Sequence, residues 1–122
     1  MYDITTNQII SQTSKCYTHF LQEVKNMKNI PQLYETEQTA ASDKMIYQKY
    51  EIRTIGFYWL IAELDRKTNT AFGYANLHDD FNAEWGYISI EELLDNGAQL
   101  IQDWKPCKFS EAMKMIKEAQ GQ

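Results

Sequence analysis

The most apolar run of the chain, residues 55–64, restricts the fold more than any other part of the sequence. It is short for a buried helix and has the length of a central β-strand. Residues 44–53, rich in β-branched and aromatic side chains, predict a strand before it. Residues 70–77 follow a polar link and predict a hairpin partner, and residues 84–88 predict one more short strand. The pattern therefore predicts a three- to four-stranded antiparallel meander.

Helical periodicity marks the start of the chain. From Thr5 or Thr6 onward, apolar side chains recur three and four positions apart, and one of these threonines is the expected N-cap. Pro31 disfavours helical geometry at Ile30, so the helix is expected to end near Asn29. We therefore predict an N-terminal amphipathic helix.

Two short helices are predicted after the strands. Ser89 is the expected N-cap of a helix over residues 90–95, which Asn96 and Gly97 end in the left-handed conformation usual at helix C-termini. Ser110 is expected to cap the last helix of the chain. Because strands joined by short loops are followed by separate helices, the predicted class is α+β.

The chain has the length of one domain and few linker-forming residues. Its 122 residues include five glycines and two prolines and show no internal repeat. Cys16 and Cys107 lie far apart without a CxxC or zinc-ligand spacing, which favours buried thiols over a disulfide. No signal region is visible at the start, and no apolar run reaches the roughly 18 residues of a membrane span. We expect a cytoplasmic protein, monomeric or homodimeric, that contacts no membrane.

Negative charge is concentrated in the second half of the chain. Residues 1–60 contain six basic and six acidic side chains, whereas residues 61–122 contain six and eleven, so the net charge of −5 arises there. Direct nucleic-acid binding needs a basic footprint, which this segment lacks. The charge distribution instead permits a basic protein partner or a cation.

Four segments carry a resemblance to a known family. They are a P-x-L-Y-x-T-E box, an aromatic strand ending in glutamate, an A-F-G-Y-A strand and an E-W-G-Y-I-S-I-E-E-L segment, at residues 31–37, 57–63, 71–75 and 84–93. In order and spacing they resemble an uncharacterised domain-of-unknown-function family of small proteins on plasmids, phages and conjugative elements. Trp59 and Trp85 depart from the residues usual in that family.

The resemblance implies a division of the chain and a function. It covers roughly residues 30–95, so a single domain 1–122 would consist of an N-terminal helix over 1–29, a family-like core over 30–95 and a C-terminal helical segment over 96–122. One member of the family is regarded as an anti-CRISPR inhibitor of a Cas9-type nuclease. The resemblance therefore implies a role in evading host defence.

The box at residues 31–37 has two interpretations. It could place Tyr34 and Glu37 as a polar site over the sheet. Such boxes are more often structural, with Thr36 capping a turn through its hydroxyl while Leu33 and Tyr34 anchor the connector on the core. We favour the structural interpretation.

Other ionisable residues are candidates for chemistry. Glu63 and Glu84 each adjoin an apolar strand and would meet on one face if their strands paired, although two solvent-facing carboxylates are the favoured interpretation. His78, Asp79 and Asp80, with Glu84 close behind, are ligand types that bind zinc or manganese, but no second histidine is near. We therefore predict no metal, no cofactor and no catalytic residue.

The leading hypothesis is an acidic binding or inhibitor protein from a mobile genetic element. Aromatic residues alternate around Gly73 and Gly86, which favours core packing, and any exposed ring would suit a protein interface. The partner would be a basic, nucleic-acid-handling defence protein such as a CRISPR effector nuclease. The predicted partner-binding residues are Asp79, Asp80, Glu84, Trp85, Glu91 and Glu92.

Two alternatives come from other functional classes. One is a small metal-dependent or carboxylate-based hydrolase that requires four side chains to converge in a pocket: Glu37, Glu63, His78 and Glu84. The other is an accessory protein of plasmid conjugation or replication, which the residues do not separate from an inhibitor. Tyr34 joins Glu37, Glu63 and His78 as a candidate polar site.

Overall fold

A computed structural model of the protein describes residues 29–121. The predicted N-terminal helix, with Cys16, therefore lies outside the described residues except at its last position. The described strands are β1 (Met45–Ile46), β2 (Gln48–Ile52), β3 (Phe57–Asp65), β4 (Thr70–Leu77), β5 (Glu84–Ser89), β6 (Gln99–Leu100) and β7 (Cys107–Lys108). The helices are α1 (Ile90–Asp95), between β5 and β6, and α2 (Phe109–Gln120), after β7. Two 3-10 turns, η1 (Ala41–Asp43) and η2 (Arg53–Ile55), precede β1 and β3.

The strands form one antiparallel sheet and one small ribbon. The sheet has the order β5-β4-β3-β2-β6, and β1 pairs with β7 beside it. The α+β class and the antiparallel meander are confirmed, and β3 occupies the predicted central position. The predicted strand over residues 44–53 divides at Tyr47, whose backbone N–H donates to the Ile61 carbonyl at 2.9 Å.

Both faces of the sheet are covered, which explains why β3 is apolar from Phe57 to Ala62. Its residues from Tyr58 to Leu64 are all buried. We call the face that packs on α2 the helix face; Leu60 and Ala62 lie there with Ala112 and Ile116 of α2. The other face, which we call the α1 face, buries these residues among others: Trp59, Ile61, Leu64, Ala71, Ile88 and Leu93.

The α1 helix has the ends that its sequence predicts. The Ser89 hydroxyl accepts from the Glu92 N–H at 3.2 Å, which confirms the N-cap. At the other end Gly97 has a φ of 91°, and the Ala98 N–H donates to the Leu93 carbonyl at 2.9 Å. Ala98 and Leu93 are both buried, as the hydrophobic contact of this C-terminal motif requires.

The start of α2 differs from the prediction. The helix begins at Phe109, so Ser110 lies inside its first turn and is not the N-cap. The flanking position is Lys108, whose backbone N–H donates to the Glu111 carboxylate at 3.1 Å. Glu111 thus reaches back from the first turn and accepts from the flanking residue, as the glutamate of a capping box does.

A β-bulge in β3 decides which face Glu63 occupies. Ile61 pairs with Gly73, but Glu63 pairs with Phe72, so one extra residue, Ala62, is inserted in β3. Without it, strict alternation would place Glu63 beside Ile61 on the α1 face. Because cross-strand partners share a face, the bulge instead brings Glu63 to the helix face with Phe72.

Candidate functional site

The two edges of the sheet differ in length. β6 forms one edge and has two residues, whereas β5 forms the other and has six. β5 pairs with β4 on one side, and no strand within residues 29–121 pairs with its other side. The outer N–H and C=O groups of such a strand are a template for pairing with another chain. We call this outer side of Glu84–Ser89 the β5 edge.

Carboxylates flank the β5 edge at both ends. All five are exposed: Asp79, Asp80, Glu84, Glu91 and Glu92. The ion pairs recorded between described residues involve Glu51 and Asp43, so none of the five lies within 4.0 Å of a lysine or arginine nitrogen in that part of the chain. The two ends of this edge therefore carry negative charge that the described residues do not pair.

The five carboxylates divide into two groups. Asp79 accepts from the Phe81 N–H at 3.0 Å, and the hydrogen bond from the Asn82 amide lowers the pKa of Asp79. Asp80 accepts from the buried amide of Asn76 at 2.8 Å. These two aspartates hold the loop before β5 in shape. The carboxylates of the other three, Glu84, Glu91 and Glu92, accept no hydrogen bond from residues 29–121, so their charge is available to a partner.

Trp85, a predicted partner-binding residue, packs largely inside the fold. Its ring lies 4.9 Å from that of Phe109 in α2 and stacks on Phe72 at 5.7 Å, measured between centroids. The exposed ring of β5 is instead Tyr87, which is 59% exposed. Sequence reasoning placed both among alternating aromatics without separating them.

Tyr87 borders a pocket of about 250 Å³ on the helix face. We call it the tyrosine pocket; it is lined by Tyr34, Glu37, Lys44, Glu63, Phe72 and Tyr87. The Tyr87 hydroxyl donates to that of Tyr34 at 3.1 Å, and the two rings meet edge to face with centroids 6.3 Å apart. The structure thus brings together three of the four candidate polar residues: Tyr34, Glu37 and Glu63.

Glu63 anchors the box at residues 31–37. Its side chain is buried, and its carboxylate accepts from the Tyr34 N–H at 2.8 Å and the Thr36 N–H at 3.0 Å. The Thr36 hydroxyl also donates to Glu63. The expectation that this hydroxyl caps a turn was wrong in detail, because it binds a carboxylate on β3. The solvent-facing interpretation of Glu63 is wrong because its side chain is buried, and the three donors compensate the cost of that burial. These bonds give the box a structural part, while Tyr34 and Glu37 also line the tyrosine pocket.

A buried lysine completes this cluster. Lys44 is 8% exposed, and its ammonium donates to the Thr36 carbonyl and, at 2.9 Å, to the Thr36 hydroxyl. The same nitrogen lies 5.9 Å from the centroid of the Phe72 ring. An ammonium group only donates, so the Thr36 hydroxyl accepts a hydrogen bond from Lys44 and donates one to the Glu63 carboxylate. Sequence reasoning missed Lys44, since no local pattern marks a buried cation.

The electrostatic environment of Tyr87 is negative. The hydrogen bond with Tyr34 is the largest cause that raises the pKa of Tyr87, and loss of solvation adds to it. The carboxylates of Glu63 and Glu37 raise it further, because a second negative charge beside them is unfavourable. Two carboxylates of the tyrosine pocket therefore contribute negative potential at the Tyr87 hydroxyl.

The four residues of the hydrolase alternative do not converge. Glu37 and Glu63 line the tyrosine pocket, whereas His78 lines a separate pocket of about 450 Å³ beside Gly56 and Gln120. Glu84 pairs with Ala75, which packs on the α1 face, so Glu63 and Glu84 lie on opposite faces of the sheet. The alternative in which they meet on one face required their strands to pair, and β3 and β5 each pair with β4 instead.

No protein-family model, curated protein or solved structure matches the chain. The family resemblance therefore stays a prediction. Within residues 29–121, no three His, Cys, Asp or Glu side chains are placed to hold a metal ion, and no helix there is long and apolar enough to cross a membrane.

Cys107 is a half-buried free thiol whose pKa is raised by burial and by Glu111.

Proposed function

We propose that this chain is an acidic protein-binding module that recruits a strand of a basic partner to the β5 edge. The single observation that supports this is a six-residue open edge with exposed carboxylates at both ends. A strand of six residues spans about 17–20 Å. The flanking charges are therefore spaced to meet both ends of one added strand.

The two features contribute differently to binding. Backbone hydrogen bonds between β5 and an added strand supply affinity that depends little on the partner's sequence. The carboxylates attract a basic partner over a longer range, speed its association and discriminate against acidic partners. Because exposed charges are screened by salt, this attraction weakens as ionic strength rises.

The class of partner follows from charge and from the family resemblance. Nucleic-acid-handling proteins carry basic surfaces that neutralise phosphates. An acidic module that occupies such a surface competes with the nucleic acid. The resemblance supports a host defence nuclease of the Cas9 type as the partner, and a mobile genetic element as the origin of the chain. The proposed site of action is the host cytoplasm.

Charge reversal tests the proposal directly. We expect Glu84→Lys, Glu91→Lys and Glu92→Lys combined to weaken binding to a purified Cas9-type nuclease at least about tenfold at low salt, since three interface charges contribute about 0.5–1 kcal/mol each. The triple variant should also lose most of the salt dependence of binding. Titration calorimetry at two salt concentrations, with nuclease activity as a second readout, measures both.

The matched control is an exposed acid at the other edge of the sheet. Asp103 follows β6 and is exposed, so Asp103→Lys is expected to change affinity less than about twofold. Equal weakening by Asp103→Lys and by Glu91→Lys would point to net charge alone and would count against a site at β5. Binding neither to this nuclease nor to other basic nucleic-acid-handling proteins would overturn the proposal.

A further inference from the structure

We propose that the tyrosine pocket receives the cationic side chain of a lysine or arginine in the strand that pairs with the β5 edge. This inference rests on the proposed function and adds to it the side-chain class that the site selects. It concerns the helix face of β5, where Tyr87 lies, rather than the carboxylates at the strand ends.

The position of Tyr87 places the pocket within reach of an added strand. Tyr87 pairs with Phe72 of β4 and shares its face, so the opposite side of Tyr87's backbone is the β5 edge. In an antiparallel pair, directly opposite residues have Cβ atoms about 4.5–5.5 Å apart on the same face. The pocket lies on the inner side of Tyr87, toward Phe72 of β4 and Glu63 of β3, so a long side chain opposite Tyr87 reaches it by passing over the Tyr87 ring toward Tyr34 and Glu37.

The lining of the pocket suits a cation. Tyr34, Phe72 and Tyr87 contribute aromatic rings, whose faces attract ammonium and guanidinium groups. Glu63 already accepts three hydrogen bonds and is linked to Lys44 through Thr36. Those opposite charges offset each other, which leaves the exposed carboxylate of Glu37 as the uncompensated charge of the pocket. The raised pKa of Tyr87, to which both carboxylates contribute, agrees with this negative balance.

The size of the pocket indicates one side chain rather than a free ligand. Its volume of about 250 Å³ lies below the roughly 300–1,000 Å³ of sites that enclose a drug-sized molecule. When a paired strand supplies a lysine or arginine, only that side chain enters the pocket, because the backbone of the strand stays at the β5 edge. The planar guanidinium of arginine can also stack on a tyrosine ring, which favours arginine over lysine.

A capped peptide in which valine and arginine alternate over about eight residues is the probe. We expect it to bind the full chain, and we expect citrulline, a neutral replacement, to weaken binding when it replaces one particular arginine. Tyr87→Thr should weaken binding of the unmodified peptide by about 5- to 30-fold. Glu37→Gln should weaken it by about 3- to 10-fold. Phe81→Thr, which removes a fully exposed ring outside the pocket, should leave affinity within about twofold.

The deciding result is the coupling between protein and peptide changes. If the cation occupies the pocket, citrulline at the critical position costs affinity in the unaltered chain and little in Tyr87→Thr or Glu37→Gln. Equal losses in all three proteins would overturn the inference while leaving strand addition intact. A peptide with N-methylated backbone amides that binds as well as the parent would instead overturn strand addition itself. The Glu37 side chain is exposed and makes no hydrogen bond with residues 29–121, and Glu37→Gln leaves the backbone bond from its N–H to the Tyr34 carbonyl unchanged, so this variant keeps the test valid if Tyr87→Thr unfolds.

Discussion

Replacing Glu63 with alanine is expected to lower the free energy of unfolding by about 3–5 kcal/mol, a large part of the stability of a domain of this size. The substitution removes the acceptor for the Tyr34 N–H, the Thr36 N–H and the Thr36 hydroxyl. It also removes the buried carboxylate to which the ammonium of Lys44 is linked through the Thr36 hydroxyl. Urea denaturation monitored by tryptophan fluorescence measures the loss.

Two further variants separate charge from contact. Glu63→Gln keeps the shape but presents an amide NH₂ to backbone donors, so an intermediate loss of about 1–3 kcal/mol is expected. Glu37→Gln alters an exposed carboxylate of the same pocket and should cost less than about 0.5 kcal/mol. A loss below about 1 kcal/mol for Glu63→Ala would show that the box at residues 31–37 is held by other contacts.

Replacing Gly73 with alanine is expected to cost about 2–4 kcal/mol, because the added methyl group has no room. An ideal Cβ at this position lies 2.0 Å from the Leu60 carbonyl oxygen, a backbone atom of the central strand. β3 is hydrogen-bonded to β2 and β4, so it cannot move aside without breaking pairs on both sides. Chemical denaturation gives the difference in unfolding free energy.

Gly86 provides a matched control in the neighbouring strand. It is the cross-strand partner of Gly73, and a Cβ there meets nothing within 4 Å. Alanine at Gly86 should therefore change stability by less than about 0.5 kcal/mol, with a small gain possible from reduced freedom of the unfolded chain. Equal losses at both glycines would mean that strand propensity, and not the close approach to Leu60, determines the effect.

Local signals predicted those parts of the fold that are determined locally. The bounds of β4 and α1 match the predicted ranges 70–77 and 90–95. In α1 the cap and the glycine both act through hydrogen bonds to residues three to five positions away. Ser110 failed as a cap because the helix starts one residue before it, at Phe109, where the Glu111 carboxylate accepts from the N–H of the flanking Lys108.

Contacts between distant residues were not predictable in this way. The strands β6 and β7 have two residues each and pair with β2 and β1 only after long connections, so no periodicity marks them. The bulge at Ala62 reverses the face of Glu63, which is why strict alternation gave no reliable position for it. The donors for Glu63 lie 27 and 29 residues before it.

The candidate site was predicted in part. An acidic second half was visible from the sequence, and the structure shows five of its carboxylates exposed in the loop before β5, at its first residue and in α1 after it. The sequence did not show that β5 is the open edge, because strand order depends on tertiary pairing. Nor did it show that the ring of Phe109 packs on Trp85 while Tyr87 stays exposed, so Trp85 alone was named as a partner-binding residue from two alternating aromatics.

Hydrogen exchange at the β5 backbone tests the central claim most directly. In the free chain, the outward-facing N–H groups of Glu84–Ser89 should exchange rapidly because no described strand accepts from them. On addition of the valine–arginine peptide or of a basic nuclease, we predict that these amides become protected while those of β6 and α2 do not change. Binding that leaves the β5 amides unprotected and protects α2 instead would contradict the account.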